Sequence, residues 1–209
     1  MRYFVRLIML AAIMLTLAGC SKETNADVIE GQVLPYKAMY DPAPFGIAGN
    51  INNQLTGYVM LLADGSKLLL PSIEGFDNLY KEGNIYDIVL EYRRYNGKNA
   101  TVIGEQESAK LIKIINSNEA TDYEMRDFTI APALQKQNDG SEAYVMTDIA
   151  TGHTTLLNAS KLLWFIGYYK DGTNYTVRVC CHPKLPTPIP STIGNEYQVY
   201  ALKILKQEP

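Results

Sequence analysis

Apolar and polar residues alternate with a period of two along several short stretches, the pattern of strands with one buried face. Between Tyr86 and Arg94, the side chains of Tyr86, Ile88, Leu90 and Tyr92 share one face, with Asp87, Glu91 and Arg93 on the other. Tyr58 to Ala63 and Lys67 to Leu70 flank Asp64-Gly65, a strong hairpin signal. Asn96-Gly97 turns the chain again, and Val102 and Leu111 to Ile115 continue the sheet. The second half offers Ala143 to Ile149, Thr154 to Leu157, Tyr175 to His182 and Tyr197 to Leu205. Between its third and fourth strands, Asn158-Ala159-Ser160-Lys161 precedes Leu162 to Gly167. A polar cap, an apolar turn and a closing Gly predict a short helix there.

These elements recur in order. Tyr80-Lys81-Glu82-Gly83-Asn84-Ile85-Tyr86 is mirrored by Tyr169-Lys170-Asp171-Gly172-Thr173-Asn174-Tyr175 at an offset of 89. Tyr58-Val59-Met60 returns as Tyr144-Val145-Met146, Leu69-Leu70 as Leu156-Leu157, and Lys113-Ile114 as Lys203-Ile204, with offsets rising only from 86 to 90. Such a period is too long for a solenoid, so the reading is two tandem domains, 41–117 and 118–209, split where Ser117 to Asp122 turns polar. With Phe45 to Ile51 and Phe128 to Leu134 as first strands, each unit has five strands, in the order of an OB-fold barrel. The expected fold is therefore all-β: two tandem OB-like five-stranded β-barrels from an internal duplication, with a short helix in the second. A small β-sandwich for one or both is the alternative.

Ahead of this lies a different pattern. Arg2 and Arg6 precede an apolar run from Leu7 to Leu17, and Leu17-Ala18-Gly19-Cys20 closes it. The run is short of the roughly 20 apolar residues that cross a bilayer. It resembles a bacterial lipoprotein signal with its lipobox. That resemblance implies removal of residues 1–19 and a membrane anchor through lipid on Cys20. Ser21 favours the outer membrane, on its periplasmic or cell-surface side, and Lys22-Glu23 partly resembles a surface-export signal. Residues 20–40 are read as the acylated Cys and a tether, because Ser21 to Asp27 is small and polar with nothing to bury.

The run Gly57 to Pro71, followed by Tyr80-Lys81-Glu82-Gly83 and a Tyr-rich strand, resembles the N-terminal OB domain of NigD-like lipoproteins of gut Bacteroidetes. The similarity covers roughly residues 45 to 115. Members of that family pair this domain with a C-terminal β-sandwich, whereas here the second half reads as a copy of the first. The family is not known as enzymatic, so the resemblance supplies no catalytic residues.

Charge and chemistry narrow the function classes. Losing a leader that carries Arg2 and Arg6 takes the formal net charge from −3 to −5, which argues against nucleic acid as a partner. Beyond Cys20 the only cysteines are the adjacent Cys180 and Cys181, so a disulfide framework is excluded and two free thiols are expected. Cys181 falls on the core face with Val177 and Val179, which leaves Cys180 and His182 on the outer face and Cys180 as an exposed thiol. Two ligands do not make a metal site, so no metal or cofactor is expected. No Gly-x-Ser-x-Gly elbow is present, and Glu74 with Asp77 or Asp122 with Glu124 are pairs that polar loops carry routinely.

The most distinctive polar stretch runs from Tyr92 to Lys98. In the OB reading it lies at the loop between strands four and five, with Tyr92, Arg93, Arg94, Tyr95 and Lys98 as candidate ligand contacts. In the second unit that loop holds Pro186 to Pro190, read as a stiff second arm. The expectation is a non-catalytic envelope protein that binds an oligosaccharide or an envelope or host protein. A structural subunit of an outer-membrane assembly and an envelope hydrolase using loop carboxylates are the alternatives.

Overall fold

The computed structural model describes residues 26–40, 51–52, 54–94, 107–163 and 165–209. Six strands make the first half: β1 (Ala26–Val33), β2 (Ala38–Met39), β3 (Thr56–Leu62), β4 (Lys67–Leu70), β5 (Asn84–Arg94) and β6 (Glu107–Glu119). The second half has β7 (Glu124–Ile130), β8 (Gln135–Lys136), β9 (Glu142–Asp148), β10 (Thr154–Asn158), β11 (Leu162–Leu163), β12 (Asn174–His182), β13 (Thr192–Ile193) and β14 (Gln198–Glu208).

Each half is an antiparallel sheet curled toward closure. In the first, β1 pairs β3 and β5, β4 extends β3, and β6 extends β5. A parallel bridge closes it: the Glu74 N–H donates to the Ala109 carbonyl and the Leu111 N–H to the Glu74 carbonyl, both at 2.9 Å. The second repeats the scheme, β7 pairing β9 and β12, with β10 on β9 and β14 on β12. Here β11 closes it, parallel to β14. Two OB-like barrels from one duplicated unit are the result.

The duplication reaches fine detail. Register shifts at Asp87/Ile88 and Val89/Leu90 in the first barrel recur at Thr176/Val177 and Arg178/Val179 in the second, at the same sequence offset as the tyrosine motif. Phe76 meets Tyr86 edge-on at 5.0 Å and 88°, and Phe165 meets Tyr175 at 5.4 Å and 88°. The Tyr86 hydroxyl accepts from the Lys81 N–H and donates to the Leu79 carbonyl; that of Tyr175 accepts from the Lys170 N–H and donates to the Tyr168 carbonyl. Each tyrosine thus pins the turn before its own strand.

Several expectations are corrected. The stretch 20–40 is not all tether, because β1 supplies the first strand of the first barrel and pairs with β5 from Ala26 to Val33. Its alternation is masked, since the buried-face positions include Gly31, where a Cβ would lie 2.5 Å from the Leu61 carbonyl oxygen. The expected first strand Phe45 to Ile51 falls largely outside the described residues. The other expected first strand, Phe128 to Leu134, begins earlier, at Glu124. The short helix is instead two 3-10 turns, Ala159–Lys161 and Phe165–Gly167, because β11 between them must be extended to pair with β14.

The barrels pack on each other through a third apolar cluster. Leu34, Ala38 and Val59 of the first barrel meet Tyr123, Cys180, Tyr200 and Leu202 of the second. Cys180 does face outward from its barrel, but the first barrel covers it, and the expected exposed thiol is buried. Cys181 faces the core with Val177 and Val179, as the alternation indicates. The long loop between β1 and β3 deepens the contact, packing Met39 and Ile51 against the second barrel's core. The Tyr168 hydroxyl donates to the Tyr40 carbonyl at 3.1 Å and accepts the Leu55 N–H at 2.9 Å.

Candidate binding groove of the second barrel

OB barrels bind oligomers across strands two and three, between the first loop and the loop joining strands four and five. In the first barrel the described part of the first loop, at Met39 and Ile51, packs on the second barrel's core, and the fourth-to-fifth strand loop, 95–106, lies outside the described residues. The second barrel has both loops in place. Its first loop carries the turn Gln137 to Ser141, closed by the Gln137 N–H donating to the Ser141 carbonyl at 2.8 Å. Asp139 accepts from the Ser141 N–H and hydroxyl at 2.9 and 2.7 Å, and these bonds hold its carboxyl below the usual range.

The other loop does not extend as an arm. It folds back: Leu185, Ile189 and Ile193 are buried in the barrel core, and β13 pairs parallel with β10. An apolar residue every fourth position gives the proline-rich segment a side to bury, which corrects the expectation of a free second arm. Arg126 fastens its start, with Nη1 donating to Asp148 at 2.9 Å, Nε facing Glu124 at 3.0 Å and Nη2 reaching the Leu185 carbonyl at 3.5 Å. Asp148 is 1% exposed. Glu124 and Asp148 are thus carboxylates held as ion partners of one guanidinium.

Between the two loops runs a groove of about 450 Å³. Ala143 and Leu156 form its floor, and Asn158, Lys161 and Thr192 line the sides with the Gln137 to Ser141 turn and Asn195. The lining is rich in side-chain amides and hydroxyls, groups that both donate and accept hydrogen bonds. Asn158 is itself fixed, its side-chain oxygen accepting from the Ser160 N–H and hydroxyl at 3.0 and 2.6 Å. A ligand with many hydroxyls fits such a surface, because a preordered lining loses little side-chain freedom on binding.

The sequence-derived candidates lie elsewhere. Tyr92 is 6% exposed and packs in the first barrel's core, so it is not a ligand contact; the alternation that sets Tyr86, Ile88 and Leu90 inward sets it inward too. Arg93 is exposed and donates from Nε to Glu91 at 2.9 Å. Tyr95, Lys98 and Cys20 fall outside the described residues, as does the side chain of Arg94. His153 is exposed in its hairpin, and His182 stacks on Tyr123 with ring centroids 4.2 Å apart. Glu74 faces Lys110 at 3.5 Å, and Asp77 accepts the Tyr58 hydroxyl at 2.6 Å. Among the described residues no three His, Cys, Asp or Glu side chains come together as a metal site.

The groove residues escaped the sequence reading, although Asp139-Gly140 and Asn158 both carry turn signals. What unites them is the return of the last loop onto β10, a long-range pairing that no local pattern announces. The fold and groove define a class, a double OB-like β-barrel protein with an open loop-to-loop groove in its second barrel among the described residues. No family model, curated protein or solved structure matches the chain.

Proposed function

We propose that this chain is a non-catalytic envelope lipoprotein of NigD-like type, anchored at the outer membrane through Cys20, whose second barrel binds an oligosaccharide. The observation that carries the reading is the amide- and hydroxyl-lined groove across β9 and β10, between the two loops with which OB barrels hold oligomers. Asn138, Lys161 and Asn195 are the contacts to test, since none of them is needed to hold the loops in place. Screening the full-length protein against an array of neutral and charged glycans should give a defined set of ligands. Alanine at Asn195 and Lys161 together should weaken those ligands about tenfold or more without lowering the melting temperature, the loss of one to two hydrogen bonds to a charged or polar group. An array without ligands, or ligands indifferent to both changes, would overturn it. Arg93, Arg94, Tyr95 and Lys98 remain the proposed contacts of the first barrel, tested in the same screen by changing Arg93 and Arg94 to Ala.

One observation favours the structural-subunit reading. Ile112 and Ile115, on the outermost strand β6, are 53% and 47% exposed. Sedimentation of the intact protein with and without Ile112→Lys distinguishes the two, because a subunit contact on β6 would be lost in the variant.

A further inference from the structure

Where the barrels meet, a second groove of about 570 Å³ opens, with walls from both. Lys37 and Tyr80 reach it from the first barrel, and Arg178 and Lys203 from β12 and β14 of the second. Arg178 and Lys203 are direct cross-strand partners, and like charges so placed repel. Asp127 relieves only Arg178, which donates to both its oxygens at 2.8 and 2.9 Å. Lys203 makes no ion pair among the described residues. Lys37 stands 4.1 Å over the Tyr58 ring and 3.5 Å from Asp77, at the rim. Arg178 is thus taken up by Asp127 and Lys37 by Asp77, which leaves Lys203 as the groove cation without a carboxylate partner among the described residues, with Glu82 as the lining carboxylate. The Tyr80 ring and the Met125 side chain, in a residue 42% exposed, add apolar surface beside the charges.

We propose that this inter-barrel groove is a binding site for a carboxylated saccharide of the uronic-acid class. Its carboxylate lies between Lys203 and Lys37, relieving the repulsion along the β12–β14 pair. The C–H face of the sugar ring covers Tyr80 and Met125, and ring hydroxyls donate to Glu82. An acidic peptide meets the cations equally well but has no C–H ring face to lay on Tyr80 and Met125 and no ring hydroxyls to donate to Glu82. The volume lies within the range of small-molecule sites, about 300–1,000 Å³. Because the walls come from both barrels, the site exists only while the Val59–Leu202 cluster holds them together.

The test is calorimetric titration of the full-length protein with trigalacturonic acid, its methyl ester and triglutamate. The site predicts binding of trigalacturonic acid that weakens as salt rises, with the ester and triglutamate at least tenfold weaker. Lys203→Gln should cost about tenfold in affinity, the scale of one charge-assisted hydrogen bond, while Lys113→Gln, its exposed counterpart on β6 outside both grooves, changes nothing. No heat with trigalacturonic acid, equal binding of the ester or of triglutamate, or an unaltered Lys203→Gln variant would overturn the proposal. Lys203 is exposed, so Lys203→Gln should leave the melting temperature unchanged. Binding that Asn195→Ala weakens and Lys203→Gln leaves unchanged would put the ligand in the second-barrel groove and overturn this site without touching that reading.

Discussion

The side-chain amide of Gln54 completes the hydrogen bonding of Ile204, 150 residues further along: its Nε2 donates to the Ile204 carbonyl at 2.9 Å, and its Oε1 accepts the Ile204 N–H at 2.6 Å. The same Nε2 also reaches the Ile51 carbonyl at 2.8 Å. One glutamine of the first barrel thus acts as a short extra strand beside β14. Gln54→Ala leaves those backbone groups unpaired at a part-buried contact, so urea unfolding should show a loss of about 1–3 kcal/mol. An unchanged midpoint would mean that the barrels are held by the apolar cluster alone.

Arg126 and Asp148 occupy, in the second barrel, the places of Ile29 and Leu62 in the first. Phe128 pairs with Asp148 where Gly31 pairs with Leu62, and both Ile29 and Leu62 pack against their core. The duplication therefore contains an apolar alternative to a buried ion pair. Asp148→Leu alone leaves the part-buried guanidinium with Glu124 as its remaining ion partner and the Ala150 N–H without its acceptor, and should cost about 1–3 kcal/mol, whereas Arg126→Ile with Asp148→Leu should recover part of it. Equal losses in the single and double variants, read by chemical denaturation, would contradict this.

The two thiols should be inert in the folded protein. Burial, and then the neighbouring Glu124 carboxylate, push the Cys181 thiol up to about 12, and burial raises Cys180 as well. Iodoacetamide at pH 8 should label neither in the native state and both after unfolding in guanidinium, as counted by mass spectrometry. Labelling of the native protein would show that the barrels separate readily.

How much of this was legible turns on which interactions are local. The inward set Tyr86, Ile88, Leu90 and Tyr92 followed from alternation alone, and the 89-residue offset of the Tyr-Lys-x-Gly motif led to the duplicated barrels. Strand β1 was not legible, because Asp27, Glu30, Gly31 and Gln32 give it a polar appearance. Nor was the fate of Cys180, since a strand pattern shows which face a residue takes but not what covers that face. The groove was hidden for the same reason: Asn158 and Asn195 meet only because Leu185, Ile189 and Ile193 draw the last loop onto the barrel.

Alkaline pH should unfold the protein through its tyrosines. Burial raises Tyr58 and Tyr80 in one aromatic cluster and Tyr144 in the other, and pushes Tyr169 up to about 12. These groups lose their protons more readily unfolded, near pH 10, than folded. Their contribution to stability is complete below about pH 10 and declines as pH climbs toward the folded values. Absorbance at 295 nm should rise late and together with the loss of near-ultraviolet circular dichroism. A full phenolate signal from a protein that is still folded would contradict the packing of both clusters.

Anchoring is tested by Cys20→Ser. The variant should be neither acylated nor retained in the membrane fraction, appearing instead with soluble proteins, while labelled palmitate marks the wild type alone. Retention of the variant would show that another feature holds the protein to the membrane.

Binding of an oligosaccharide in the second barrel's groove is read residue by residue by nuclear magnetic resonance. Titration of a panel of neutral tetrasaccharides into the isotopically labelled full-length protein should give saturable amide shifts confined to residues 137–141, 156–161 and 192–195. Shifts elsewhere, or none with any member of the panel and with the array-selected glycans, would contradict it.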